Sequence, residues 1–446
     1  MRVRHCHNFH DFRRLAKRRL PGPIFDYIDG AAYDEVTHRR NTASFERCDL
    51  VPNVLRGVDK VDLTVTVMGQ TLAMPVYCSP SAFQRLFHHQ GERAVAAAAA
   101  TYGTIFGVSS LGTVSLEELR EAFETPQVYQ FYFHKDRGLN RSMLERAKEA
   151  GIDVMMLTVD SITGGNRERD LRTGFSIPLH LTPRGMLQFA IKPMWGINYV
   201  THESFKLPQL DRFVDMSGGA VSIGRYFTEM LDPSMNWDDV ADMVREWDGQ
   251  FCLKGVMSVA DAKRAVEIGC TGIILSNHGG RQLDGSRSPF DQLEEVVAAV
   301  GDRIDVMMDG GVQRGTHVLK ALSLGAKAVG VGRFYLFPLA VAGQAGVERA
   351  LGLQRIELVG AADMALADPD LRHRAPPPGS LHHLLAPLRF TVDADLLQVL
   401  HALRREQPLG RMAIRTAARG VDHDTRHATS RPAGPLAATR RIHPRG

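Results

Sequence analysis

Short apolar runs alternate with amphipathic stretches between residues 74 and 333. Runs rich in β-branched and other apolar residues are typical of buried strands, whereas apolar residues at helical spacing, as in GERAVAAAAATYG and SVADAKRAVEIG, predict helices between them. Eight strand and helix units in succession predict an α/β fold, a (β/α)8 TIM barrel. The eight predicted strands cover residues 74–79, 104–110, 127–132, 153–160, 251–255, 272–277, 304–311 and 327–333.

Two segments stand outside this repeat. Residues 8–56 contain a helical stretch that is too short for a separate domain, and we expect it to form a helical cap over one barrel mouth. The loop after the fourth strand spans about 90 residues, far more than an ordinary barrel loop. Within it, TPRGMLQFAIKPMW predicts an amphipathic helix ended by a proline. This helix fits either packing on the protein surface or peripheral membrane contact through residues 182–200.

Composition and charge narrow the class of protein. The 446 residues carry a formal net charge of +4, but residues 355–446 contain 14 arginines and nine acidic residues, so the positive excess lies there and the rest of the chain does not have the charge of a nucleic-acid binder. No run of 18 uncharged apolar residues occurs, which argues against a spanning helix. Five widely spaced cysteines and a basic N-terminus without an apolar signal core favour a cytoplasmic location. Arginine, proline, alanine and histidine dominate the C-terminal part. We therefore expect one domain over residues 1–353 and a largely disordered tail over 354–446, with no metal site.

Polar side chains and glycines close every predicted strand. In a (β/α)8 barrel the C-terminal strand ends form the active site, so these residues are functional candidates. A single polar residue there is usually a cap or turn residue, but eight such ends point to chemistry, because buried polar groups cost free energy unless they have partners. The residues are Ser79, Ser81, Ala82, Ser109, Gln130, Tyr132, Thr158, Asp160, Lys254, Ser276, Asn277, His278, Asp309, Gly310, Gly311, Gly332 and Arg333.

The last strands carry the most specific signals. Glycines after the seventh and eighth strands allow backbone N–H groups to approach a phosphate. Lys254 fits three roles: a Schiff-base lysine, a phosphate ligand, or a cation beside an electron-accepting ring. In SNHGGRQLD, residues 276–284, His278 is placed to act as a base and Arg281 to clamp a carboxylate.

Taken together, these motifs resemble the FMN-dependent α-hydroxy-acid oxidoreductases, which include glycolate oxidase, lactate oxidase, L-lactate dehydrogenase and mandelate dehydrogenase. The resemblance runs from about residue 8 to about residue 353. It rests on SPSAFQRLFHHQGE, LTVD, RERD, LKGV, SNHGGRQLD, DGGVQRGTHVLKALSLGA and GVGR. It implies that FMN oxidises an L-2-hydroxy acid to the 2-keto acid, with L-lactate as the expected substrate.

The resemblance also assigns roles to residues. Implied on the substrate side are a base, its carboxylate partner, two arginines that grip the substrate carboxylate and two tyrosines: His278, Asp160, Arg167, Arg281, Tyr27 and Tyr132. Lys254 is implied to lie near N1 and the C2 carbonyl of the flavin and, with His278, Asp160 and Tyr132, to be catalytic. The other implied flavin contacts are Ser81, Ala82, Ser109, Gln130 and Thr158 for the ring, Ser276 and Asp309 for the ribityl chain, and Gly310, Gly311, Gly332 and Arg333 for the phosphate.

Three departures from the family pattern refine this expectation. Gln313 stands where many members have an arginine near the phosphate, and Leu111 stands where glycolate oxidases have tryptophan. The long fourth loop resembles that of the lactate and mandelate dehydrogenases, which implies a quinone or cytochrome as electron acceptor and a position at the inner face of the membrane. The third departure is the loss, past about Gln354, of the further helix that family members carry.

Other interpretations stay open. The chain is either a dehydrogenase, an oxidase that passes electrons to O2 and forms H2O2, or an inactive product that lacks its closing helix. A different FMN barrel, such as an isomerase, is disfavoured because it does not need a base together with a carboxylate clamp. The resemblance further implies a homo-oligomer, a tetramer as in the family.

Overall fold

The N-terminal segment folds into helices and a small hairpin. Helices α1 Phe9–Arg19, α2 Gly22–Asp29 and α3 Val36–Ala43 precede β1 Val65–Val67 and β2 Gln70–Leu72, which pair in antiparallel fashion. The structure is a computed structural model, and it describes residues 2–365 except 53, 56–59, 162–163, 174, 176–181, 204 and 211–228.

Eight parallel strands close into a barrel in the order in which they occur along the chain, with the last strand pairing with the first. This confirms the (β/α)8 TIM barrel, and every strand overlaps a predicted run. The barrel strands are β3 Val76–Cys78, β4 Phe106–Ser109, β5 Gln127–Phe131, β6 Val154–Thr158, β7 Gln250–Val256, β8 Gly272–Leu275, β9 Asp305–Asp309 and β10 Val329–Val331.

Helices follow the strands and cover the barrel. Several begin at a side chain that accepts a hydrogen bond from a backbone N–H in the first turn, as Ser115, Asp136, Ser258 and Ser288 do. The helices are α4 Gly91–Thr101, α5 Leu116–Ala122, α6 Arg137–Glu149, α7 Glu168–Thr173, α8 Pro183–Ala190, α9 Pro193–Val200, α10 Trp237–Trp247, α11 Val259–Glu267, α12 Pro289–Val300, α13 Gly315–Ser323 and α14 Arg333–Ala365.

The hairpin β1–β2 covers the N-terminal end of the barrel, a role that the sequence did not reveal. Val67, Met68 and Leu72 are buried against apolar side chains inside the barrel. The backbone N–H of Met68 donates to Oδ2 of Asp305 at 2.6 Å, at the start of β9. This end of the barrel is therefore a packed apolar layer.

The loop after β6 contains α7, α8, α9 and α10. The predicted helix at residues 182–195 is two helices, because α8 ends at Ala190 and α9 restarts at Pro193. Both present apolar side chains to solvent, with Met194 71% and Val200 79% exposed. In the part of the chain that the structure describes, no helix is both long and apolar enough to cross a membrane.

The last helix extends beyond residue 353, where the sequence places the end of the domain. Helix α14 continues to Ala365, twelve residues further, and buries Gln354, Leu358 and Ala361. The sequence analysis missed this continuation because the motif that family members carry there is absent. The stretch is nevertheless helical, and its Leu358 side chain is buried. The rest of the predicted tail, residues 366–446, lies outside the described residues.

Candidate active site

A chain of hydrogen bonds crosses the C-terminal ends of β4, β5 and β6. Ser109 Oγ donates to Oε1 of Gln130 at 3.0 Å, and Nε2 of Gln130 donates to Oγ1 of Thr158 at 2.9 Å. All three side chains are buried. Because all three residues line the same cavity, their polar atoms form one wall of it.

A buried cation lies next to this wall, because Lys254 pairs in register with Thr158. Nζ of Lys254, on β7, lies 3.2 Å from Oδ2 of Asp309 and donates to Oγ of Ser276 at 3.0 Å. Ser276 in turn donates to Oδ1 of Asp309 at 2.6 Å. Burial opposes the charge on Lys254, but Asp309 and Asp160 outweigh it and raise the pKa of the ammonium group. The site therefore holds a fixed positive charge inside the barrel.

The predicted base and its carboxylate partner are in contact. Nδ1 of His278 lies 3.2 Å from Oδ1 of Asp160, and Ser161 bridges them, with Oγ 2.9 Å from the carboxylate and 3.3 Å from the ring. Burial opposes ionisation of Asp160, yet His278 and Lys254 hold its pKa below the usual value. His278 has a φ of +56°, a left-handed conformation that is costly for this residue and that aims its ring at the cavity.

Two guanidinium groups lie close to the ring of one tyrosine. Arg281 lies 4.9 Å and Arg167 5.6 Å from the ring centroid of Tyr27. Burial, together with the nearby Arg167, lowers the pKa of Arg281. Tyr132 is buried beside them, and burial raises its pKa. Oδ2 of Asp170 lies 3.6 Å from Nε of Arg167, so the group carries two cations and one carboxylate, and the remaining positive charge favours an anion, as the predicted carboxylate clamp requires.

Glycines line the end of the cavity where a phosphate was predicted. Gly310 and Gly311 have φ values of +95° and +80°, and a Cβ on Gly311 would lie 2.3 Å from backbone atoms of Asn41. Gly332 has open space on its side-chain face, so its backbone is accessible. Gln313 also lines the cavity and donates to Oγ1 of Thr42 at 3.3 Å. Its neutral amide leaves this end with one cation fewer than an arginine would supply.

Arg333 is engaged with the protein. Its guanidinium donates to the carbonyls of Ile28, Gly30 and Gly279 and lies 3.1 Å from Nδ1 of His38. Burial and the nearby Arg281 lower the pKa of Arg333 to about 9. It therefore ties α2 to the cavity rim while it lines the cavity itself.

Sequence reasoning missed the contacts that attach the N-terminal helices to the site. Asn41 and Asn277 exchange two side-chain hydrogen bonds of 2.8 Å, both buried. Asp29 accepts from Arg13 and from Arg169, which stands two residues after Arg167. The RERD motif contained a signal for this, because its second arginine had no assigned role.

Nearly all of the predicted residues share one cavity. The exceptions are Asn277 and the pair Asp160 and Ser276, which contact His278 and Lys254, respectively. Ser81 and Ala82 also line the cavity. The buried cation, the polar wall and the glycine cradle fit a flavin mononucleotide, which needs a positive charge near its ring and accessible backbone groups at its phosphate.

Comparisons with known proteins agree with this fit. A family described as FMN-dependent dehydrogenase matches residues 16–367. An L-lactate oxidase of Nostoc sp. is 42% identical over 357 residues, 79% of this chain and 92% of that protein. An L-lactate dehydrogenase of Pseudomonas syringae is 38% identical over 345 residues, 77% of this chain and 90% of that protein. The crystal structure of the monotopic membrane protein (S)-mandelate dehydrogenase superimposes with a TM-score of 0.77 at 31% identity, covering 84% of this chain and 99% of that one.

The closed barrel and its cavity define a flavin-binding (β/α)8 oxidoreductase. With most of its length matched, the chain belongs to the FMN-dependent dehydrogenase family, and FMN is its cofactor. The family match ends at residue 367, so it includes all of α14.

Proposed function

We propose that the protein oxidises an L-2-hydroxy acid, with L-lactate as its substrate, to the 2-keto acid. The observation that carries this proposal is the convergence of His278 with Arg167 and Arg281 on one cavity. A carboxylate clamp beside an imidazole base suits a substrate that carries a carboxylate and a hydroxyl on adjacent carbons. The relatives named L-lactate oxidase and L-lactate dehydrogenase support this choice of substrate.

The clamp orients the substrate. Arg167 and Arg281 bind the carboxylate, and Tyr132 is placed to contact the carboxylate or the hydroxyl. The substrate anion also relieves the repulsion between the two guanidinium groups. Substrate binding therefore also orients the α-carbon, and this orientation is the main contribution of such a site to the reaction rate.

The base takes the proton that the oxidation releases. Nδ1 of His278 faces Asp160, so Nε2 faces the substrate and accepts the proton. The ionised Asp160 stabilises the resulting imidazolium and fixes the ring orientation. Lys254, Gln130 and the glycines after β9 and β10 would hold FMN, which when bound supplies the two-electron acceptor.

We further propose that electrons pass to a membrane quinone or a cytochrome in preference to O2. The apolar residues exposed on α8 and α9, among them Met186, Leu187, Met194, Ile197 and Val200, support contact with a membrane. Exposed Lys17, Arg18 and Arg19 end α1 next to this surface, where Nζ of Lys192 donates to the carbonyl of Arg18 at 2.5 Å. A basic rim beside an apolar face suits an anionic membrane.

Reoxidation kinetics test the choice of acceptor. After anaerobic reduction with L-lactate, we expect a quinone analogue or an artificial dye to reoxidise the protein faster than air does. Stopped-flow absorbance of the flavin measures both rates. Rapid reaction with air and stoichiometric H2O2 would instead make the protein an oxidase.

Flotation with vesicles of zwitterionic and anionic phospholipids tests the membrane surface. The wild type should float with the vesicles, and Ile197→Asp should not, because a charge in the apolar face opposes insertion. Val54→Asp is the matched control, since Val54 is 78% exposed but belongs to neither α8 nor α9. Equal flotation of both variants would contradict the assigned surface.

The third interpretation, an inactive chain, loses its main support. It assumed that the helix closing the barrel is missing, whereas α14 runs to Ala365 and buries Leu358 and Ala362. Glu357 on this helix also pairs with Arg314 at 2.7 Å, just before α13.

A further inference from the structure

The base pair and the carboxylate clamp are both divided between the same two loops. His278 and Arg281 belong to the loop after β8. Their partners, Asp160 and Arg167, belong to the loop after β6. The imidazole therefore contacts its carboxylate across these two loops, and the two guanidinium groups approach one tyrosine ring from the same two loops. The relative position of the loops consequently determines both proton transfer and substrate binding.

The side chain of Gln282 joins these two loops. Its Oε1 accepts a hydrogen bond from the backbone N–H of Gly165 at 3.1 Å, and its Nε2 donates to the backbone carbonyl of Asp160 at 3.3 Å. The two bonds together need a neutral amide, because one end of the side chain must accept and the other must donate. Gln282 is half-buried and also lines the flavin cavity.

We propose that Gln282 is a positioning residue that holds the loop after β6 against the loop after β8 and thereby sets the geometry of both the base and the clamp. The inference rests on the proposed function, which assigns the base and the clamp. One hydrogen bond of Gln282 holds the backbone of Asp160, whose carboxylate contacts His278. The other holds Gly165, two residues before Arg167. A single side chain thus acts on both functional pairs.

The backbones of the two loops are in direct contact beside this amide. A Cβ on Gly165 would lie 2.0 Å from the carbonyl oxygen of Arg281 and 2.9 Å from Cα of Gln282, so a side chain there would force the loops apart. The loop after β8 is also fixed to the end of α2, because Nη1 of Arg281 donates to the carbonyls of Tyr27 and Gly30 at 2.6 and 2.9 Å. Gln282 therefore places the loop after β6 relative to a support that is itself held in position.

Gln282→Met tests this role, because methionine has a similar length but can make neither hydrogen bond. After anaerobic mixing with L-lactate, we expect flavin reduction per bound FMN to slow about 10- to 100-fold, as a shift of about 1 Å between reacting groups would cause. The Kd for L-lactate, taken from the concentration dependence of the rate, should rise at least about threefold. Leu283→Met is the matched control, since Leu283 is the next residue, is 70% exposed and does not line the cavity.

Gln282→Glu separates positioning from a general structural effect. A protonated carboxyl group has the shape, the donor and the acceptor of the amide, whereas the carboxylate presents only acceptors to the carbonyl of Asp160. The rate of Gln282→Glu relative to the wild type should therefore be low at pH 8. It should rise towards one as the pH falls towards the pKa of the new carboxyl group, ordinarily about 4.3. Gln282→Met should show no such recovery.

Equal rates per flavin in Gln282→Met and the wild type would overturn the role of Gln282, as would a relative rate of Gln282→Glu that stays low at every pH. If L-lactate does not reduce the wild-type flavin, the proposed function fails. Oxalate, which offers a carboxylate to the same clamp, then tests Gln282 without turnover. Its Kd, measured from the flavin absorbance, should rise at least about threefold in Gln282→Met. An unchanged Kd for oxalate would overturn the proposal.

Discussion

Two halves of the barrel interior come from the same strands and carry opposite chemistry. Toward the N-terminal strand ends, the inward side chains are Val128, Met156, Cys252, Ile274 and Met307, all at most 1% exposed. Two residues further along each of these strands stand Gln130, Thr158, Lys254, Ser276 and Asp309.

The comparison shows how one fold separates stability from function. Alternate residues of a strand face the same side. Two inward-facing residues that are two positions apart can therefore lie one in the apolar layer and the other in the active site. The lower layer, closed by Met68 of the hairpin, stabilises the barrel by burying apolar surface. The upper layer buries charges such as Lys254 and Asp309, which cost free energy unless each has its partner. Substitutions in the upper layer should therefore impair the reaction, whereas substitutions in the lower layer should lower the stability.

The largest effect is expected from His278→Gln, at the upper end. Glutamine cannot take the substrate proton, so flavin reduction should slow by roughly 10²- to 10⁴-fold. FMN content should remain close to that of the wild type, because the ring of His278 faces the substrate. Stopped-flow reduction and the flavin spectrum measure the two effects. A variant that loses FMN but keeps its turnover per flavin would show that His278 is not the base.

A substitution in the lower layer should affect stability and spare the chemistry. Met307→Ala leaves a cavity in the apolar layer and should lower the free energy of unfolding by about 2–5 kcal/mol. The rate of reduction per bound flavin should not change. Urea unfolding followed by circular dichroism checks the first effect. A stable variant with slow flavin reduction would contradict the separation of the two layers.

The ion pairs of Asp29 connect the N-terminal helices to the polar end and should be pH dependent. Burial opposes ionisation of Asp29, but Arg13 and Arg169 lower its pKa below the unfolded value. The contribution of Asp29 to the free energy of unfolding is therefore complete above its pKa in the unfolded chain, about 3.9. It is lost as the pH falls through the pKa of Asp29 in the folded protein. Asp29→Asn should cost about 1–3 kcal/mol at neutral pH, less than a fully buried pair, since Arg13 is 40% exposed.

Thermal unfolding of Asp29→Asn and of the wild type across the acid range measures this difference. The two melting temperatures should converge at low pH. Asp34→Asn is the control, because Asp34 is exposed and its side chain has no ion pair among the described residues. A difference between Asp29→Asn and the wild type that stays constant down to pH 2 would show that ionisation of Asp29 contributes nothing.

The smallest effect concerns the phosphate end. Gln313→Arg adds a cation next to Gly311 and should lower the Kd for FMN about two- to fivefold, as expected for a partly exposed charge. Titration of the apoprotein with FMN measures this change. Weaker FMN binding would indicate that the hydrogen bond from Gln313 to Thr42 matters more than charge.

Local sequence patterns predicted the barrel because each strand is a short apolar run. The polar residues at the C-terminal strand ends are not needed for packing, so they indicated the active site. The pairing of His278 with Asp160 was implied by the family resemblance, whereas their places at strand ends marked them only as candidates. The hairpin at Val65–Leu72 was missed, because its burial depends on the barrel that it covers. The contacts of Arg333 with Ile28 and Gly30 were also missed, because they join segments about 300 residues apart.

Anaerobic mixing of the purified protein with L-lactate tests the central claim most directly. We expect a yellow protein that releases FMN on denaturation and whose flavin absorbance is bleached by L-lactate, with one pyruvate formed per flavin and no bleaching by D-lactate. A flavin that stays oxidised with L-lactate and with every other L-2-hydroxy acid tried would contradict it, as would release of a cofactor other than FMN.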